Sequence, residues 1–246
     1  MSNLTIQIND YVSPFAKNLP KIASIDDLIY VEKYETDAWG HWIFADNYTP
    51  LVDKVNNRNL TLQSGATVQP TYSADYMSLG IKSGNALLTG LNDSLSAFTQ
   101  IAIVQPESTE LAVLLGNLSN QQGIGIFTSS SKVYLTSRTS ISSWDIGLNL
   151  DMAKPVLIGY SVDKTASTIN FIAMQNGIMY TKTSPFSTFV AANTELAVGN
   201  SRYTSSSANY IKYYESIAYN KALSLDELRA VATRSKKRLE YRGVTF

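Results

Sequence analysis

Short apolar runs separated by polar turn residues occupy most of this chain, and near its end the pattern changes from a two-residue to a helical period. Ile211, Tyr213, Ile217 and Tyr219 share one parity, which predicts a half-buried strand over 211–219 with these residues on one face. Asn220-Lys221 is a turn signal. Ser224 then stands three residues before Glu227, the spacing of a capping box, where each side chain satisfies an otherwise orphan backbone N–H. Leu223 before the cap and Leu228 inside the first turns form a hydrophobic staple. The expected closing helix runs over 224–239.

Upstream, from Trp39 onward, the spacing predicts many strands. Turn residues recur at Asn56-Asn57, Ser64-Gly65, Ser83-Gly84-Asn85, Asn92-Asp93 and Gly199-Asn200. In the run 98–104, Phe98, Ala102 and Val104 oppose Ile101 and Ile103, apolar on both faces, as in the middle of a packed sheet. Leu111–Gly116 and Gly123–Phe127 follow as strands. Val156–Val162 and Thr168–Met174 flank a hairpin turn, and Gln175-Asn-Gly177 closes a second one before Ile178. Glu195–Asn200 is a further short strand. Residues 1–38 read differently: Leu4–Ile8 alternates, Pro14 and Pro20 bracket a loop, and Ser24–Lys33 fits either a capped helix or a strand. This stretch is expected to be an arm, docked on a neighbour or on the domain's own edge, with the domain proper at 39–246.

At 246 residues without cysteine, the chain is expected to be one large sandwich with a core sufficient without disulfides. The first ten residues lack the basic and apolar regions of a secretory signal, and no apolar run approaches the roughly 20 residues of a membrane helix. The expectation is a soluble protein made in the cytoplasm, with no membrane insertion. The zero net charge hides a gradient: residues 1–38 hold six acidic and three basic side chains, residues 212–246 four and eight. The 173 residues between carry only 19 charges, which argues against nucleic acid as a partner. The basic run Arg234, Lys236, Lys237, Arg238 is read as helix-end compensation of the dipole rather than a phosphate site. Acidic arm and basic helix are expected to attract each other modestly, within a chain or between copies, under salt screening.

The stretch Ile217-Ala-Tyr-Asn-Lys-Ala-Leu-Ser-Leu-Asp-Glu-Leu228 resembles the closing strand and helix of concanavalin A-like, laminin-G-like lectin domains. The order of the central Phe98-Thr strand, the hairpin ending Asn176-Gly177 and the late strand ending Gly199-Asn200 resembles that family too, over about 200 residues. Lys236-Lys-Arg-Leu-Glu-Tyr-Arg-Gly243 is similar to the version in bacteriophage and prophage structural proteins. The resemblance implies an all-β, two-sheet antiparallel jelly roll with a C-terminal helix and an N-terminal arm. It further implies a virion protein that attaches to a bacterial surface glycan or packs against other virion proteins, and homo-oligomers by analogy with tail fibres.

Candidate chemistry is sparse. The lone histidine, His41, lies between Trp39 and Trp42 and reads as a packing or hydrogen-bonding residue in a loop, with the two tryptophans anchoring the arm. No nucleophile elbow, phosphate loop or zinc motif is present. A glycosidase needs two carboxylates flanking the scissile bond; Glu107 and Glu110, next to Pro106, do not share a face, so a polysaccharide-degrading enzyme is the alternative rather than the main reading. Asp145 with Asp151, or Asp93 with Asn92, are the loop carboxylates a Ca²⁺ ion would use, but neither repeats a known loop, and no cofactor is expected. Sugar binding needs a stacking aromatic and a few polar groups. Two segments offer these: one carries Trp144 and Asp145, the other Asn200, Tyr203, Asn209 and Tyr210. The function expected is non-enzymatic glycan attachment or virion assembly, with a purely structural virion protein as a further alternative.

Overall fold

The computed structural model describes residues 34–45, 50–137, 141–205 and 207–245. The Leu4–Ile8 strand, the Pro14–Pro20 loop and the Ser24–Lys33 segment lie outside the described residues. The described residues form two antiparallel sheets and one helix, as the alternation and the capping box imply.

In the eight-stranded sheet the order is β13 (Ile178–Pro185), β12 (Thr168–Gln175), β11 (Val156–Asp163), β6 (Ala97–Gln105), β15 (Tyr210–Tyr219), β4 (Met77–Gly80) and β3 (Thr71–Tyr72). Strand β1 (Gly40–Ile43) also pairs with β15, beyond the end of β4: β4 takes 210–213 and β1 takes 215–218. The seven-stranded sheet runs β10 (Ile141–Asn149), β9 (Lys132–Ser137), β8 (Ile124–Ser129), β7 (Ala112–Gly116), β14 (Glu195–Val198), β5 (Leu87–Asn92) and β2 (Thr61–Leu62).

The inner faces of both sheets share one core, to which β6 gives Phe98, Ala102 and Val104 and β11 gives Val156, Ile158, Tyr160 and Val162. The other face of the eight-stranded sheet, with Ile101, Ile103, Leu157, Ile172 and Met174, packs against the helix α1 (Leu225–Tyr241) through Leu228, Val231, Ala232 and Leu239. Strand β6 is therefore apolar on both faces because it lies in the middle of three layers. The capping box is present: Ser224 Oγ accepts from Glu227 N–H at 3.3 Å, and Glu227 Oε2 accepts from Ser224 N–H at 2.7 Å. The helix extends two residues beyond the expected 239.

One expectation fails instructively. Ile211, Tyr213, Ile217 and Tyr219 do not share a face. The pairing of β15 with β6 slips between Tyr213 and Glu215, leaving Tyr214 as the extra residue of a β-bulge. Before the bulge, Ile211 and Tyr213 point into the inter-sheet core. After it, Ile217 and Tyr219 point towards the helix, and so does Glu215, whose carboxylate meets helix residues. Strict alternation would have buried that carboxylate between the sheets.

Candidate binding site

Two clusters of polar chemistry stand out, one buried and one exposed. The buried one lies between the eight-stranded sheet and α1. Arg238, 0 % exposed, reaches Glu215 at 2.6 Å and Glu35 at 3.0 Å. Ser235 Oγ donates to Glu215 Oε1 at 2.8 Å, and Tyr219 O–H donates to Glu35 Oε2 at 3.1 Å. Arg234 also grips Glu35 through Nε and Nη2 at 2.9 and 2.6 Å. Burial by itself would raise the Glu215 pKa; the charge of Arg238 and the contact with His41 outweigh it and hold the carboxyl far below its ordinary range. The same contest, decided by Arg234 and Arg238, lowers the pKa of Glu35.

The basic run does lie towards the end of the helix, with Arg238 in its last turn, and three of its side chains are engaged: Arg238 is buried, Arg234 turns to Glu35, and Lys236 pairs with Glu240 along the helix. This arrangement corrects two readings. The attraction between Glu35 and the helix is a pairing with Arg238 in the buried interior, so salt screens it little. His41 lies on β1 rather than in a loop: its Nδ1 accepts from Glu35 N–H at 3.1 Å, and its Nε2 lies 3.3 Å from Glu215 Oε1. Serine, histidine and carboxylate thus meet, but Ser235 and His41 both address Glu215 rather than each other. A catalytic triad needs the nucleophile bonded to the histidine, and all three residues here are almost fully buried.

The exposed cluster is the loop between β14 and β15. Gly199 starts it with φ +91°, and a Cβ there would stand 2.6 Å from Leu79 Cδ2, so only glycine lets the strand turn away. Asn200 then braces the loop. Its Nδ2 donates to Ile81 O at 3.0 Å and Tyr203 O at 2.9 Å, while its Oδ1 accepts from Tyr203 N–H at 2.9 Å. Backbone bonds from Gly84 to Asn200 and from Ile81 to Asn209 tie both limbs to the segment after β4. Asn120 Nδ2 donates to Thr204 Oγ1 and Asn209 Nδ2 to Ser108 Oγ, each at 3.2–3.3 Å. Tyr203 thereby comes to line an open depression of about 680 Å³ with Glu110, Leu111, Thr204, Ser205 and Ser207. Tyr210 stands nearby at the start of β15, 42 % exposed.

The six residues expected to bind therefore divide. Tyr203 lines the depression; Asn209 ends the same loop and Tyr210 opens β15, neither in that lining; Asn200 also belongs to the loop, but it is fully buried and its amide is engaged in shaping the turn. Trp144 and Asp145 lie elsewhere, on edge strand β10, four strands from β14, and not in a loop. Trp144 leans on Phe171 with ring centroids 6.5 Å apart, under Lys182 Nζ at 4.7 Å. Asp145 pairs with Lys132 at 2.9 Å, which lowers its pKa.

The carboxylates considered for calcium are also engaged. Asp93, fully buried, accepts from the N–H groups of Ala192 and Thr194; Asn92 Oδ1 accepts from Ser94 N–H; Asp151 accepts from Ala153 N–H. Among the described residues no three His, Asp or Glu side chains converge on a possible metal position. Glu107 forms an ion pair with Lys212 at 2.6 Å.

No protein-family model matches the sequence, and no curated protein sequence matches it. Solved structures do match the fold. The botulinum neurotoxin serotype G binding domain aligns with a TM-score of 0.56 at 10 % identity, over 81 % of this chain and 51 % of that one. The binding domain of Paraclostridial Mosquitocidal Protein 1 gives 0.54 at 14 %, over 79 % and 51 %. The serotype D ligand-binding domain, in complex with N-acetylneuraminic acid, gives 0.54 at 11 %, over 80 % and 51 %. The chain spans about half the length of these neighbours. At such identities the likeness establishes the fold: a two-sheet β-sandwich of the kind found in toxin binding domains.

Proposed function

We propose that this chain is a non-enzymatic carbohydrate-binding module whose ligand lies against the β14–β15 loop. The observation that carries the reading is the depression lined by Tyr203. It is braced from below by Asn200, carries serine and threonine hydroxyls with Glu110, and suits a sugar's apolar face and hydroxyl edge. The matching neighbours are binding or receptor-binding domains, one of them held with a sialic acid, which supports binding over cleavage. The depression is lined by one carboxylate, Glu110, whereas a glycosidase pair needs two, which also speaks against cleavage there.

The finer part of the proposal is that the module belongs to a phage or prophage particle and attaches it to a bacterial surface, with the arm, residues 1–38, as tether. Its support is the sequence similarity of the closing strand and helix. A glycan array carrying bacterial surface polysaccharides, probed with and without calcium, tests the binding. Retention of a defined glycan, weakened at least about tenfold by Tyr203→Ala, is expected from one stacked ring. Absence of binding by folded protein would leave virion assembly as the remaining role.

A further inference from the structure

A second pocket shares the same loop. Along β5 the side chains of Leu87, Thr89 and Leu91 are buried, whereas Leu88, Gly90 and Asn92 form the outward row. Gly90, at φ +73°, leaves a gap in that row with nothing within 4 Å of where a Cβ would stand. The pairing of β5 with β14 slips between Glu195 and Ala197 at the same place, and Gly90 N–H donates to Glu195 Oε2 at 2.8 Å. Over this irregularity opens a pocket of about 430 Å³ whose lining includes Gln63, Asn92, Asn193, Glu195, Ser201 and Arg202. Two buried polar atoms of that lining, Gln63 Oε1 and Ser201 Oγ, have no hydrogen-bond partner among the described residues. Gln63 Nε2 donates to Ser201 O at 3.1 Å, which fixes the amide and leaves its carbonyl oxygen on the other side. Ser201 is only 6 % exposed. An unmet buried polar atom costs roughly 1–3 kcal/mol, so two in one pocket call for a ligand that satisfies them.

We propose that this pocket binds one neutral, hydroxyl-rich sugar unit by hydrogen bonds, as a second subsite of the glycan site; this rests on the carbohydrate-binding reading above. The donor and acceptor set is that of a sugar diol. Glu195 and Gln63 Oε1 accept, Arg202 donates, and the Ser201 hydroxyl does both. Glu195 and Arg202 cancel in charge, which disfavours an anionic or cationic ligand. The lining holds no aromatic ring, so recognition is polar, unlike the depression beside Tyr203. The volume falls within the ~300–1,000 Å³ of small-molecule sites. Arg202 and Tyr203 are adjacent but line different depressions, so an oligosaccharide crossing the loop reaches both.

The test titrates glucose, galactose, mannose and N-acetylglucosamine, with N-acetylneuraminic acid as the charged comparison, into ¹⁵N-labelled protein. One neutral sugar is expected to shift the amide signals of Gly90, Glu195, Ser201 and Arg202. Ser201→Ala removes an unpartnered buried hydroxyl, so it is expected to keep or raise thermal stability while weakening that sugar by about fivefold or more. A sugar response that Ser201→Ala leaves intact overturns the proposal, as does stronger binding of N-acetylneuraminic acid at these residues. Silence at this pocket while array binding persists and remains sensitive to Tyr203→Ala overturns the second subsite and leaves the module's function standing. Silence in both experiments overturns both.

Discussion

Replacing Arg238 with methionine removes the cation that stands between Glu35 and Glu215 beneath the helix. Glu35 keeps Arg234, whose guanidinium reaches it at 2.6 Å. Glu215, 1 % exposed, keeps only Ser235 Oγ at 2.8 Å and His41 Nε2 at 3.3 Å. It becomes a buried, uncompensated charge, and loss of one partner from such a pair costs about 3–5 kcal/mol, a large part of the ~5–15 kcal/mol by which folded domains are stable. Changing both partners, Arg238→Met with Glu215→Gln, removes the charge as well as the cation and should recover most of that loss. Urea unfolding followed by tryptophan fluorescence, with Trp42 buried as the reporter, measures both variants and the coupling between them. The pH dependence supplies a second, qualitative reading. In the native protein the Glu215 pKa is lowered from 4.5; its contribution is fully present above about pH 4.5 and is lost as pH falls towards the folded value. In Arg238→Met the largest lowering influence is gone, and burial, the strongest of all the influences on this carboxyl, outweighs the remaining contact with His41 and raises the pKa, so stability falls as pH rises through that region. The slope between pH 4.5 and 7 therefore changes from flat to negative. A single variant costing under about 1 kcal/mol, additive with Glu215→Gln, would refute the account of a coupled buried pair.

Asn200→Ala removes three hydrogen bonds and leaves the groups of Ile81 and Tyr203 without them, so it should cost about 2–4 kcal/mol in urea unfolding and abolish glycan retention by loosening the loop. Ser224→Ala deletes the cap of α1 and should cost about 1 kcal/mol in the same assay, with glycan retention unchanged. Trp144→Ala strips a half-buried ring from Phe171 and should cost about 2 kcal/mol, somewhat below the fully buried case. A loss of glycan retention without that destabilisation would restore Trp144 as a ligand contact.

The fold was legible because its signals are local. Alternation over 156–162 and 168–174, the Asn176-Gly177 turn and the Ser224–Glu227 spacing each depend on residues a few positions apart. The β-bulge at Tyr214 escaped because a bulge belongs to a pairing: nothing in Ile211–Tyr219 announces that β6 will oppose Tyr213 and Glu215 with consecutive residues. From that slip followed the burial of Glu215 under α1, and with it the partners of Arg238, His41 and Glu35, which stand up to 203 positions apart in the chain.

The candidate site divides in the same way. Composition pointed to the 200–210 loop, and Asn200 beside Gly199 already suggested a turn. That Asn200 faces inward, that Trp144 sits on a strand four strands away, and that Gln63 and Ser201 meet across 138 positions were decided only by the sheet order and register. The sequence alone determined which segments become strand, turn and helix, because propensity, alternation and capping act within a few residues. The tertiary structure decided which polar side chains are buried together and which surround a pocket, because those contacts depend on pairings between distant strands.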